Sequence, residues 1–426
     1  MPDQIEILPT GPVTGTIRPP GSKSITNRAL VCAALARGDS LLRGALVSED
    51  THVMIDSLRK LGVPVEESDG GTTLHVAGCD GRIPSAGAEL FIANSGTSIR
   101  FLTALAALGN GRFRLDGIER MRQRPIEDLL AALRTLGADV HSEATNGCPP
   151  VTINASGLTG GEVSVRGDIS SQYLSGLLMA APYAKGNVQI SVVGPLVSRP
   201  YISITLAVMN SFGVDVQQER LERFEVQAPQ CYVGHEYEIE PDASAASYFW
   251  AAAAITRGQV RVEGLSCEAL QGDVAFVDCL AKMGCQVSRD ENAITVQGSK
   301  LRGIDINMNA ISDTVQTLTA AELFAEGSTT ITGVAHNRHK ETDRIGDLAT
   351  ELRKFGATVE ELEDGLRISP PKAVQGAVVD TYDDHRMAMS LALVGLRAEG
   401  VAINNPGCTQ KTYPRFFDDL AELAGS

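Results

Sequence analysis

No Cys-x-x-Cys pair and no cysteine–histidine spacing of a metal site occurs among the eight cysteines (Cys32, Cys79, Cys148, Cys231, Cys267, Cys279, Cys285 and Cys408). That absence argues against a structural metal centre. Several of these cysteines fall in apolar segments, as reduced thiols of a cytosolic protein do. Positive charge is scarce: 37 Lys and Arg stand against 52 Asp and Glu, a net charge of −15. Bulk binding of nucleic acid or of an acidic membrane surface is therefore not expected. No apolar run approaches the ~20 residues that span a bilayer. The opening stretch MPDQIEILPTG lacks the basic and apolar regions of a secretory signal, so a cytoplasmic location is expected. Gly-x-Ser-x-Gly, His-Glu-x-x-His and a Gly-x-Gly-x-x-Gly between strand and helix are also missing. Their absence sets aside the common hydrolase, zinc and dinucleotide readings.

What is present is a repeat. At 426 residues, 43% hydrophobic and 21% charged, the chain is large enough for two soluble domains. A helical pattern closed by Leu, Phe or Met and then Gly recurs in SLRKLGVPVE, ALRTLGADVH, VMNSFGVDVQ, CLAKMGCQVS and ELRKFGATVE. Its glycines, 62, 137, 213, 284 and 356, lie at intervals of about 70 residues, and a sixth helix, FFDDLAELAGS, closes at Gly425. Gly before a β-rich stretch reads as a helix C-cap. Each copy opens with a strand, a polar turn and a small-residue helix: GTIRPPGSKS, AELFIANSGTS, GEVSVRGDISSQ, HEYEIEPDASA, IDINMNAISDT and AVVDTYDDHR. The expected fold class is α/β (α+β), with two similar domains of three β-α-β-α-β-β repeats. Residues 1–20 are expected to complete the last copy, because the sixth helix has no trailing strands. The domains are then 21–240 and 241–426 plus 1–20, with a two-strand hinge near 20 and 240. A solenoid that only binds a partner is disfavoured, since these units are longer and carry unlike, charged loops.

The loops carry the chemistry. PPGSKSITNR (19–28) places Gly21, Ser22, Lys23, Ser24 and Arg28 before the apolar run ALVCAALA, and a helix start attracts negative charge. It is not a Walker loop, which needs Gly directly before the Lys. The other first-helix openings carry Asn94, Gly96, Thr97 and Arg100; Ser170, Ser171 and Gln172; Asp242 and Ser244; Asp313; and Asp384, His385 and Arg386. Second-helix openings carry Arg120, Arg122 and Arg124; Ser198, Arg199 and Tyr201; Asp273; His339, Lys340, Glu341 and Arg344; and Lys411. Ser, Asp and Asn at such places are ordinary N-caps. Cations are the reverse of what the helix dipole favours. Lys23, Arg28, Arg124, Lys340, Arg344, Arg386 and Lys411 therefore point to a polyanionic small ligand. Arg120 and Arg122 fit a solvated basic loop, and NRHKETDRIGD also fits an exposed ion-pair face. Asp313 and Glu341 add acids. A pure anion binder gains nothing from them, whereas an enzyme that moves a proton does. His385 is a rival base or a capping residue.

The motifs PPGSKSITNRAL, ANSGTSIRFL, RPIEDLL, DISSQYLSGLLMAAP, LVSRPYISITL, EPDASAASYF, HKETDRI, TYDDHRMAMS and NPGCTQKTYPRFF resemble, in order and over essentially the whole chain, those of the 5-enolpyruvylshikimate-3-phosphate synthases (3-phosphoshikimate 1-carboxyvinyltransferases). The resemblance implies two domains of three repeats each, an inside-out α/β barrel arrangement closing like a clam over its substrates. It implies transfer of the enolpyruvyl group of phosphoenolpyruvate to the 5-hydroxyl of shikimate 3-phosphate, in aromatic amino acid biosynthesis, by addition and elimination without metal or organic cofactor. Carried onto this chain, Lys23 reaches phosphoenolpyruvate near the junction of the substrates, while Ser24 and Arg28 hold the shikimate carboxylate. Ser170, Ser171 and Ser198 take the shikimate phosphate with Lys340, and Gln172 and Tyr201 border the ring. Phosphoenolpyruvate lies against Gly96, Arg124, Gln172, Arg344, Arg386 and Lys411. Asp313 accepts the 5-hydroxyl proton, and Glu341 protonates the methylene carbon with help from Lys23.

Two departures stand out. HNRHKETDR replaces the Asn-Trp-Arg or Ser-Trp-Arg of many members, which puts a substrate contact from His336 or Asn337 in question. Phe101 follows Arg100 where several members have Pro. Because Gly96 is retained, sensitivity to glyphosate, the family's inhibitor at the phosphoenolpyruvate site, is expected. The rivals are a UDP-N-acetylglucosamine enolpyruvyl transferase and a non-catalytic anion binder of the same architecture. The former usually carries a reactive Cys in the loop matching 115–125, and LDGIERMRQRP has none. The expected partners are the two small-molecule substrates, with no nucleic acid, no membrane and no second subunit.

Overall fold

The computed structural model describes residues 2–425. They form two compact units: Gly21–Ile239, and the residues up to Pro20 together with those from Glu240 on. The chain passes between them at 20/21 and again at 239/240.

The Gly21–Ile239 unit holds six α-helices: α1 (Lys23–Leu35), α2 (Glu49–Lys60), α3 (Gly96–Ala106), α4 (Glu127–Thr135), α5 (Ser171–Ala180) and α6 (Arg199–Ser211). The other unit holds α7 (Ala243–Thr256), α8 (Phe276–Met283), α9 (Val315–Glu322), α10 (Gly346–Lys354), α11 (His385–Gly395) and α12 (Phe416–Ala424). Five four-stranded sheets share one plan. Gly87–Phe91 lies parallel to Asn110–Asp116, which pairs antiparallel with Val151–Ser156 and through it with Asp139–Ser142. The parallel pair requires a crossover, and α3 supplies it. The alternate helices are the core: every residue of α3, α7 and α11 is buried, the signature of a helix surrounded on all sides. Among the described residues no helix is long and apolar enough to cross a membrane.

The first twenty residues do not all serve the last copy. Gln4–Ile7 runs antiparallel to Val401–Asn404, in a three-stranded sheet with Val378–Val379. Thr14–Ile17 instead lies parallel to Gln259–Glu263 in the fourth copy's sheet. Glu236–Glu238, which precedes α7 in sequence, lies parallel to Asp39–Arg43 in the first copy's sheet. The crossings fall between each of these strands and its helix, so each strand stays behind and completes the sheet of the unit the chain is leaving. Gly21 and Gly44 make this possible in their unit. A Cβ on Gly21 would stand 1.8 Å from the Gly44 oxygen, and one on Gly44 (φ 71) 2.8 Å from the Ile239 oxygen, so backbone fills the space of side chains.

One buried acid sets a pH dependence on the fold. Glu322, at the end of α9, is fully buried; its Oε2 accepts from the Thr329 hydroxyl, and its Oε1 has no partner among the described residues. Burial pushes its carboxyl up to about 8. The folded value lies above the unfolded one, so its contribution is whole below about pH 4.5 and declines as pH rises toward 8. Glu322→Gln is therefore expected to stabilise the protein at pH 8.5 relative to wild type, by an order of a few kcal/mol, and by much less at pH 5. Thermal unfolding of both proteins at the two pH values checks this, and an equal gap at both would contradict it.

Candidate active site

In the Gly21–Ile239 unit the candidates sit at helix starts whose caps are local. Ser22 accepts from the Ile25 N–H, Ser95 from that of Ser98 and Ser170 from that of Gln172. Ser170, expected at the phosphate, is thus also the cap of α5. Ser171 opens that helix, and Ser198 (φ 52) precedes α6, which packs on α5. Lys23 begins α1, its Nζ 3.6 Å from Asp50 Oδ2 on α2.

Arg28 is 1% exposed. Its guanidinium donates to the Ser24 carbonyl (2.8 Å), Thr205 Oγ1 (2.7 Å), Ser175 Oγ (3.3 Å) and the Tyr201 carbonyl (3.2 Å). The rings of Phe101 and Tyr201 lie 5.1 and 6.0 Å from it. All of these partners are neutral, and among the described residues no carboxylate pairs with it. Burial pulls its value down to about 10, against small opposing influences of Tyr201 and Cys32. Beside it the second copy supplies two more buried cations. Arg124 Nη1 donates to the Asn94 carbonyl (3.0 Å). Arg100 donates to the Gly96 carbonyl (3.0 Å), Gln172 Oε1 (2.8 Å) and the Pro125 carbonyl (3.1 Å), and Gln172 Nε2 donates to Thr97 (3.2 Å). A Cβ on Gly96 would stand 2.3 Å from Arg124 Nη2 and 2.7 Å from Arg100 Nη1. A glycine there lets both guanidinium groups lie against the first turn of α3. Arg122, by contrast, pairs with Asp116 (2.7 Å) and is half exposed, as a solvated loop would have it.

The other unit gathers cations around acids. Asp313, in the 3₁₀ turn Asn309–Thr314 ahead of α9, accepts from Lys340 (3.3 Å), Arg344 (3.2 Å) and Arg386 (2.9 Å). Arg344 also binds Glu341 Oε2 (2.8 Å) and both oxygens of Asp384 (2.7 and 3.1 Å), while Lys411 lies 3.6 Å from Glu341 Oε1. Burial opposes the charge of Arg344, but Asp384, Glu341 and Asp313 together hold its value above the ordinary one. Burial lowers Lys340, against the pull of Asp313. Lys340, Arg344, Arg386 and Lys411, which the sequence reading points toward a polyanionic ligand, are each also paired with an acid of their own unit. Here the chain's own carboxylates occupy the cations, a compensation made by tertiary contact between distant loops. The exposed ion-pair reading holds only for Arg338 and Asp343 (2.9 Å).

His336 Nε2 lies 3.0 Å from Ser312 Oγ, and Asn337 Nδ2 donates to the Ser312 carbonyl (2.9 Å). Both thus brace the turn that carries Asp313. Burial, then Lys340, pushes His336 down to about 3, so its ring is neutral. The structure adds residues absent from the expected site. Arg100, the one charged residue of α3, stands at that helix opening but carries no expected substrate role there. Asp384 stands in the sequence as an ordinary cap, and Asp50 is an unremarked acid in the first turn of α2. Asp273, bonded to the Ser244 hydroxyl, is pushed up to about 7 by burial and then by Asp313. Among the described residues no cluster of three or more His, Cys, Asp or Glu suits a metal ion.

Comparison with known proteins agrees with this arrangement. Residues 7–420 match the family described as EPSP synthase (3-phosphoshikimate 1-carboxyvinyltransferase). A 3-phosphoshikimate 1-carboxyvinyltransferase of Shewanella denitrificans is 48% identical over 422 residues, 99% of each chain. One of Nostoc punctiforme is 48% identical over 423 residues, again 99% of each. A solved EPSP synthase of Acinetobacter baumannii superposes with a TM-score of 0.83 at 28% identity, covering 99% of this chain and 98% of that one. With the sixfold strand–helix plan and two clusters of buried cations already in place, these matches assign the chain to the EPSP synthase family.

Proposed function

We propose that the residues gathered in the two units carry out the transfer of the enolpyruvyl group of phosphoenolpyruvate to the 5-hydroxyl of shikimate 3-phosphate, with release of phosphate. The observation that carries this reading is Arg28, a buried cation whose every contact is neutral. Burying an unpaired charge is costly, and a ligand carboxylate approaching along α1 beside Ser24 supplies the missing counter-charge through a charge-assisted hydrogen bond. Ser171 and Ser198, with Ser170 and Lys340, take the shikimate phosphate, while Gln172 and Tyr201 border the ring.

Phosphoenolpyruvate is taken by Lys23, Arg124, Arg344, Arg386 and Lys411, with Gln172 and the first turn of α3 at Gly96. In the free protein Asp313 and Glu341 hold the places of its anionic groups. When the substrate draws the cations away, both carboxyls lose the charges that favour ionisation, and their proton affinity rises. Asp313 then accepts the proton of the 5-hydroxyl as its oxygen bonds to C2 of phosphoenolpyruvate. Glu341 delivers a proton to C3, giving a tetrahedral phospho-ketal. Loss of a C3 proton back to a base expels phosphate and restores the double bond. Neither step requires a metal or organic cofactor. The eight free cysteines support a reducing, cytoplasmic setting, and we take the catalyst to act as a monomer.

Phosphate release is expected only with both substrates present, to survive a chelator, and to be inhibited by millimolar glyphosate; release with either substrate alone would overturn the reading. Asp313→Asn and Glu341→Gln are expected to lower kcat by ~10²–10⁴ and to keep shikimate 3-phosphate binding, measured by calorimetry. Arg28→Met replaces an unpaired buried charge by an apolar chain, and its former partners Ser175 and Thr205 still bond each other (2.8 Å). Its melting temperature without ligand should equal or exceed that of wild type, while the upward shift on adding shikimate 3-phosphate disappears. A retained shift would remove Arg28 from the site.

A further inference from the structure

Tyr382 (φ 52) and Asp383 (φ 56) are consecutive left-handed residues immediately before Asp384, His385 and Arg386. A bulky side chain in that region is rare and persists only where its surroundings impose it. The imposing groups are on α10. Glu351, its side chain fully buried, accepts from the Tyr382 hydroxyl (2.8 Å), the Asp380 N–H (3.0 Å) and Lys354 Nζ (2.8 Å). Lys354 also reaches Asp380 Oδ2 (2.8 Å) and the Val378 carbonyl (3.2 Å). On the other flank Asn405 Nδ2 donates to Asp383 Oδ1 (3.2 Å), and the Asp384 N–H donates to the Thr381 carbonyl (2.8 Å).

The turn delivers two groups of the site. Asp384 caps α11 and holds the Arg344 fork, and Arg386 reaches Asp313. The helix α10 follows directly on the Lys340–Arg344 segment, with Asp343 Oδ1 accepting from the Ile345 and Gly346 N–H groups (3.0 and 3.1 Å). One helix thus begins behind Arg344 and anchors, two turns later, the backbone ahead of Arg386. We propose that Glu351 and Tyr382 form a tether that fixes the 380–384 turn and thereby places Arg344 and Arg386 for phosphoenolpyruvate. Neither touches substrate; both are positioning residues. The proposal rests on the assignment of those two arginines to phosphoenolpyruvate made above.

Tyr382→Phe removes only the tethering hydroxyl. Misplacing a substrate-holding group by an ångström costs up to about a hundredfold. The variant is therefore expected to raise KM for phosphoenolpyruvate about tenfold and to keep the dissociation constant of shikimate 3-phosphate within roughly twofold. A tether that merely stabilised the fold would lower the melting temperature and leave that ratio alone. Adding Asp383→Asn, which suits a left-handed backbone better and keeps an oxygen for Asn405, is expected to restore part of the loss. Should Tyr382→Phe fail to fold, Glu351→Gln is read in the same way. An unchanged KM for phosphoenolpyruvate, or an equal loss of affinity for both substrates, overturns the tether. Arg386→Ala, assayed alongside, separates the two readings. If it leaves KM for phosphoenolpyruvate unchanged, the arginine assignment fails. If it raises KM while Tyr382→Phe does not, the tether alone fails.

Discussion

Arg344 divides its donors among three carboxylates while 1% exposed, and the arrangement of its unit follows from that. A guanidinium so deeply buried is tolerable only if its fork is filled, and removing any partner leaves an uncompensated charge. Asp384 satisfies one side and at the same time caps α11, which fixes where Arg386 starts. Asp313 and Glu341 satisfy the rest; Lys340 shares the Asp313 oxygen that Arg344 uses, and the remaining oxygens hold Arg386 and Lys411. Four loops from the fifth and sixth copies are tied around one planar cation.

The other unit solves the same problem in the opposite way. Arg28 and Arg100 are buried against carbonyls, hydroxyls, a side-chain amide and aromatic rings, which take up most of their N–H groups and leave their charge in place. On the proposed reading one cluster attracts an anion outright, and the other exchanges its own carboxylates for one. The difference matters for chemistry. An anion met by Arg28 is simply held. An anion that displaces Asp313 and Glu341 from their cations also changes what those carboxyls do with protons. In the proposed mechanism binding and proton transfer become one event, in a protein whose net charge of −15 would otherwise repel both substrates.

Much of this was legible in the sequence, for stated reasons. The helix-closing glycines mark the copies because glycine tolerates the left-handed end of a helix, as Gly284 (φ 115) does. Lys23, Arg28, Arg124, Arg344 and Arg386 stood out because cations at helix starts oppose the dipole. The exchange of Thr14–Ile17 and Glu236–Glu238 between sheets was not legible. Parallel pairing is made by main-chain groups, and a short strand such as Thr-Gly-Thr-Ile carries nothing that names its neighbour. Nor was the role of Asp384 or Asp50, since an acid at a helix start is explained by capping until a distant cation is seen beside it. The twin left-handed residues before Asp384 were equally hidden, because neither Tyr nor Asp announces that conformation.

In the proposed mechanism substrate binding releases Asp313 and Glu341 from their cations. The most direct measurement is proton uptake when phosphoenolpyruvate binds beside a shikimate 3-phosphate analogue lacking the 5-hydroxyl, which cannot react. Calorimetry at pH 8 in two buffers of different ionisation enthalpy reads it. Net uptake is expected in wild type and is expected to fall in Glu341→Gln. Tight binding with no proton uptake would show that the carboxylates keep their partners and would contradict the mechanism.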